Sequence, residues 1–171
     1  MPIKINYKNT LIKQKIANLV LFADDKFNLL SLKKHVSISE YSFISDLIKT
    51  KDLKNGIVNF DLSSKKKIII VSLKKNCTNS EIENLGAKFY NQFKNLKYKE
   101  FNINSDTIYR NDKNIIGQFL HGLNLKSYLF NKYKTKKNNI NFQINVFGKN
   151  KPSIKDQIKF KAIEEGTFYT R

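Results

Sequence analysis

Two histidines, fourteen carboxylates and one cysteine carry whatever side-chain chemistry this chain of 171 residues has to offer. His35 and His121 stand far apart, and neither belongs to a His-Glu-x-x-His run. Two such imidazoles do not define a catalytic metal centre. His35 is expected ahead of a helix, and His121 at the surface or an interface. Asp24 and Asp25 directly follow an apolar run, where a turn favours Asp, so they read as turn residues before cation ligands. Asp156, Glu164 and Glu165 have helical spacing but no imidazole near them in sequence, which predicts a solvated helix face or pairs with lysines. Cys77 falls between a strand and a helix. A helix N-terminus lowers a thiol pKa, but spacing supplies no base for it. No residue is therefore assigned as catalytic, cofactor-binding or metal-ligating.

Phosphate recognition has no motif either. The six glycines are scattered, and neither GxGxxG nor GxxxxGK[ST] occurs. The basic clusters Lys65-Lys66-Lys67, Lys74-Lys75 and Lys134 to Lys137 lie outside any zinc-finger or RNP pattern. Tyr128, Phe130 and Tyr133 interleave with Lys126, Lys132 and Lys134, as stacking platforms and phosphate contacts would. At helical spacing, Tyr128 and at least one neighbour read as core instead.

The elements that must position these residues alternate in type. Strands are predicted at Ile3 to Tyr7, Ile16 to Phe22, Ile57 to Leu62, Ile68 to Val71, Tyr98 to Ile103 and Ile140 to Phe147. The first two are close in sequence and are expected antiparallel at an edge. The β-branched run Ile68-Ile69-Ile70-Val71 suits a strand buried on both faces. Helices are predicted within His35 to Lys51, after Thr78, over Asn111 to Tyr133 and over Ser153 to Tyr169. Ser37 or Ser39 is a candidate cap for the first, and Thr78 to Glu81 has capping-box spacing. Ile82, Leu85, Phe89, Phe93 and Leu96 make an apolar stripe. Gly122 is placed for close approach of a neighbouring strand. On the last helix, Ile154, Ile158, Ala162 and Ile163 are expected to face inward, with Phe160 as a further candidate. Alternation of strands and helices predicts a three-layer α/β domain with a mixed sheet flanked by helices, in one domain over residues 1–171.

Composition bounds the partners. Hydrophobic residues make up 40% of the chain, enough for a core. No apolar run is long enough to span a bilayer, and the N-terminus lacks a signal core, so no membrane partner and a cytoplasmic location are expected. The single cysteine makes no internal disulfide. The net charge of +18 attracts polyanions over long range. Nearly all of it is Lys, with Arg only at 110 and 171, and Arg is the stronger sign of bidentate phosphate contacts. Lys, Asn and Ile abound together and share A/T-rich codons, which accounts for the charge without a function.

The stretch FLHGLNLKSYLFNKYKTKK, from Phe119 to Lys137, is a Gly-containing helix followed by Tyr-x-Phe-x-x-Tyr-Lys-Thr-Lys. It resembles a pattern of the leucyl aminopeptidase family of metallopeptidases, in which Glu or Ala often stands where this chain has His121. Ala162 to Arg171 is similar to the family's next stretch, where the Arg is commonly followed by Asp-Leu and an Asn-x-Pro segment. The resemblance implies an N-terminal, non-catalytic domain with a macro-domain-like fold, ending in the helix that leads to a catalytic domain beyond Arg171. It also implies a homo-hexameric parent enzyme that removes N-terminal amino acids from peptides with two divalent cations, Zn or Mn. Their ligands would lie in the catalytic domain, whose Asn-Thr-Asp-Ala-Glu-Gly-Arg segment is absent here. A structural, assembly or regulatory role follows for this domain, which by itself would be inactive. Some family members bind DNA partly through it, so weak nucleic-acid binding is a further expectation. The alternative is an independent nucleic-acid or polyanion-binding module.

Overall fold

The computed structural model describes residues 3–9, 18–109, 114–128 and 142–169. Among the described residues six strands form one sheet: β1 (Ile3–Tyr7), β2 (Asn18–Asp24), β3 (Ile57–Asp61), β4 (Lys67–Leu73), β5 (Glu100–Asn104) and β6 (Phe142–Phe147). Their spatial order is β1-β6-β5-β2-β4-β3. All neighbours are parallel except β3, which runs antiparallel to β4 at one edge. Among the described residues four α-helices accompany the sheet: α1 (Ile38–Leu47), α2 (Asn79–Phe93), α3 (Asn114–Ser127) and α4 (Ile154–Tyr169).

The expectation of an antiparallel first pair is corrected. β1 is indeed an edge strand, but it pairs in parallel with β6, and β2 lies inside the sheet. Nearness in sequence misled here. Parallel neighbours are joined by crossovers, and a strand at the chain's start can pair with one near its end.

Two apolar cores sandwich the sheet. On one face Phe22, Ile69, Phe101 and Ile144 meet Phe89 of α2 and Phe119 of α3. On the other, Leu21, Phe60, Ile68 and Ile70 meet Leu32 and Ile44 of the segment containing α1. Period-two alternation along β4 feeds both cores, which is why its β-branched run is fully buried. Phe89 packs tilted or edge-on against Phe93, Phe101 and Phe119, with ring centroids 4.8, 5.2 and 5.5 Å away. Each such pair adds about 1 kcal/mol beyond area burial.

The helix starts follow local chemistry. The Ser37 and Thr78 hydroxyls accept from the Glu40 and Glu81 amides, and each Glu carboxylate accepts from its cap's own N–H. Ser153 caps α4, its hydroxyl accepting from Asp156 N at 3.1 Å. Asn55-Gly56, a dipeptide that favours tight turns, makes one here with Gly56 at φ 71°.

Helices α2 and α3 cross with their backbones touching. A Cβ on Gly86 would lie 1.9 Å from the Phe119 carbonyl oxygen, and one on Gly122 would lie 2.0 Å from that of Glu83. The close approach expected at Gly122 is real, but its neighbour is a helix, not a strand.

The inward face expected for α4 is also corrected. Ile154 is 76% exposed, Ile158 64% and Ile163 44%, and Ala162 is exposed as well. Of the residues expected inward, Phe160 does point towards the domain, joined by Phe168 and by buried Glu164. Apolar residues occupy both sides of this helix, so hydrophobic periodicity does not choose between them.

Candidate functional site

Open α/β sheets bind ligands beyond the carboxyl ends of their strands, where the chain order reverses. Here that place lies between β2 and β5. The chain's own loops bridge it. The Thr107 hydroxyl accepts from Phe22 N at 2.8 Å and donates to the Asn104 carbonyl at 2.7 Å. The Ser105 hydroxyl donates to the Phe147 carbonyl, and Asn150 Nδ2 donates to the Ser105 carbonyl. The Asp106 carboxylate accepts from Lys149 N at 2.7 Å. Gly148, at φ 107°, lies so close that a Cβ there would meet Ser105 Oγ at 2.5 Å. The ends of β2, β5 and β6 are stitched together by the short turn Ser105–Thr107.

His35 borders this closure. It stands ahead of α1 as expected, at the end of the 3-10 turn Leu30–His35. Its Nδ1 lies 3.0 Å from Asn104 Nδ2. Asn104 Oδ1 is engaged by Asp106 N, so its amide presents the NH2 group to the ring, and Nδ1 must accept. Burial, then Lys34, holds the imidazole below its ordinary pKa, against the opposing pull of Asp106. A neutral ring fits that geometry. Asp24 performs the turn role expected of it, its carboxylate accepting from the amides of Lys26 and Asn28.

His121 is not at the surface. It is 6% exposed, and its Nδ1 lies 2.9 Å from the Glu164 carboxylate of α4. Asn124, one turn along α3, donates to the other carboxylate oxygen. Phe160 lies over the imidazole, with centroids 5.1 Å apart, and against Gly117. Glu164 thus corrects its expectation as a solvated or lysine-paired residue, whereas Glu165 does approach Lys161 at 4.0 Å. The Tyr7 phenol at the end of β1 is pushed up to about 12 by burial and then by Glu164. Tyr128 stacks on Phe168, centroids 4.5 Å apart, and donates to its carbonyl. The cluster is a polar clamp between α3 and α4.

The basic clusters separate. Lys66 pairs with Glu40 at 2.8 Å, and Lys67 pairs with Asp61 across the β3–β4 hairpin. Lys74 pairs with Glu81 at 3.2 Å beside a cleft of about 470 Å³ along α2, whose wall includes half-buried Cys77. Lys134 to Lys137, Phe130, Lys132 and Tyr133 lie outside the described residues. Among the described residues no three His, Cys, Asp or Glu side chains gather as a metal site would require, and no helix is long and apolar enough to cross a membrane. Sequence reasoning missed Gly86, Lys54 and Lys88, which stand in no motif, and the role of Asn124, whose partner Glu164 lies 40 residues away in sequence.

No family model matches the sequence, and no curated protein matches it. Solved structures do share its fold. A mutant of tomato leucine aminopeptidase superposes with a TM-score of 0.65 at 16% identity, over 95% of this chain and 35% of that one. The macrodomain of Thermus aquaticus DarG superposes with a TM-score of 0.56 at 9% identity, over 86% of this chain and 99% of that one. The class defined is a macrodomain-like three-layer α/β domain. This chain spans about a third of the aminopeptidase's length.

Proposed function

We propose that this chain is the non-catalytic accessory domain of a larger, metal-dependent leucyl aminopeptidase, serving its structure, assembly or regulation. The observation that carries this reading is the bare outer side of α4. Ile154, Ile158, Ala162 and Tyr169 recur there as one exposed stripe, flanked by Lys155 and Lys161, while the inner side is clamped to α3 through Glu164. A helix fixed on one side and apolar on the other suits burial against a second domain of the same polypeptide. The fold likeness to an aminopeptidase spanned only in part supports the same assignment.

In this reading the two divalent cations, their ligands and the attacking water belong to a different domain, while this one supports folding, makes subunit contacts at the periphery of a homo-hexamer or restricts access to the site. The pure 171-residue chain, given a leucyl amide with Mn²⁺ or Zn²⁺, is expected to show no hydrolysis above the uncatalysed rate. Reproducible metal-dependent hydrolysis would overturn the assignment. The mass of the protein in its source cells is expected to exceed 20.0 kDa by a factor of about two or more, as an added domain of ordinary or larger size requires. A native mass of 20.0 kDa would equally overturn it.

A further inference from the structure

We propose that the cleft along α2 is a binding site for a small, phosphate-bearing anion. Its volume of about 470 Å³ is that of a small-molecule pocket. Four lysines line it against one glutamate, a balance of three positive charges. They converge from four places: Lys54 before β3, Lys74 after β4, Lys88 on α2 and Lys126 in the last turn of α3. Glu81 engages Lys74, while Lys54, Lys88 and Lys126 have no carboxylate partner among the described residues.

Positive charge gathered around a concavity focuses potential on it and repels cations, so an anion is the ligand class. Ammonium groups serve phosphate well as point charges. Asn55, Ser72 and Asn84 add neutral donors at the wall, and Leu85 and Ala87 offer an apolar floor for the body of an organic phosphate. The left-handed Gly56, whose carbonyl accepts from Ser72 N at 2.8 Å, lines the cleft together with Lys54 and Asn55. No Tyr or Phe lines the cleft. A single-stranded nucleic acid would call for aromatic stacking platforms, so a compact phosphate fits better.

The test is calorimetric titration of the whole chain with pyrophosphate at about 150 mM salt, where diffuse surface attraction is screened. Saturable one-site binding is expected. Lys88→Gln and Lys126→Gln should each weaken it about fivefold, the worth of one partly screened charge contact. Lys4→Gln and Lys94→Gln, at exposed lysines outside the cleft, should leave it unchanged. Thermal melts of the four variants confirm that each is folded. Absence of saturable binding would overturn the proposal, as would equal weakening by the two outside variants. Binding of a single-stranded oligonucleotide without binding of pyrophosphate would overturn it too.

Discussion

Gly86 and Gly122 are reciprocal: each lies against a backbone carbonyl of the helix that carries the other. Neither position has room for a methyl group, so Gly86→Ala or Gly122→Ala must push α2 and α3 apart. A loss of about 3 kcal/mol or more is expected, at or beyond the upper end of overpacking costs, and urea unfolding would measure it. Gly166, inside α4, is the contrast, since a methyl group added there would meet nothing within 4 Å. Gly166→Ala should stabilise by about 1 kcal/mol and raise the melting temperature by about 3 °C.

The clamp between α3 and α4 predicts an asymmetry. His121→Leu strands a buried carboxylate, and Glu164→Leu strands a buried imidazole and the Asn124 amide. Either single change should cost about 3 kcal/mol, while the double change should cost less than the sum of the two. A double-mutant cycle by chemical denaturation reads the difference. Strict additivity would show that the two side chains do not interact.

Two windows of pH dependence follow from two groups. Burial and Lys34 lower the pKa of His35 in the folded chain, so the unfolded chain takes up the proton first as pH falls. Stability is complete above about pH 6.5, the unfolded value, and declines as pH drops through the lower folded value. Glu40 is also lowered. Burial opposes the shift but is outweighed by the Lys66 and Ser37 hydrogen bonds together. Its contribution is present above about pH 4.5 and fades below it. His35→Asn should flatten the stability profile in the upper window, and Glu40→Gln in the lower one. Urea midpoints measured from pH 7 to pH 3 separate them.

The two sides of α4 should respond oppositely. Ile158→Gln, on the outer stripe, is expected to change the stability of this chain by less than about 0.5 kcal/mol, as exposed substitutions do. Phe160→Ala removes the ring over His121 and against Gly117 and should cost about 2 kcal/mol, less than a fully buried Phe. Thermal unfolding of both variants checks the assignment of faces.

The strands, the helices and the Thr78 capping box were legible because each has a local signature: β-branched runs, apolar spacing of three and four, and Thr three residues before Glu; at α1 the sequence leaves Ser37 and Ser39 as alternatives, and Ser37 takes the cap. The dipeptide Asn55-Gly56 is a local turn signature of the same kind. What escaped depends on partners distant in sequence. Glu164 looks solvated until His121 and Asn124 are brought to it. Ile154 and Ile158 look like core because nothing local distinguishes them from Phe160 and Phe168. Pairing of β1 with β6 needs the whole topology. Of the candidate site, Lys74 was visible as part of a run, but Lys54, Lys88 and Lys126 converge only in three dimensions.

Across β1, β6 and β5, Asn6, Asn145 and Asn102 are consecutive partners in register, and their side-chain amides join one to the next at 3.0 Å. Asn145 also donates to the Glu100 carboxylate. Apolar side chains alone would let a parallel edge strand slide by two residues and still present the same face. The amide row removes that freedom: a slip of two residues sets Lys4 or Lys8 opposite Asn145 and leaves an amide without its mate. Asparagine, abundant throughout this chain, acts here as an alignment key, so that β1 has one berth beside β6, a strand more than 130 residues further along the chain.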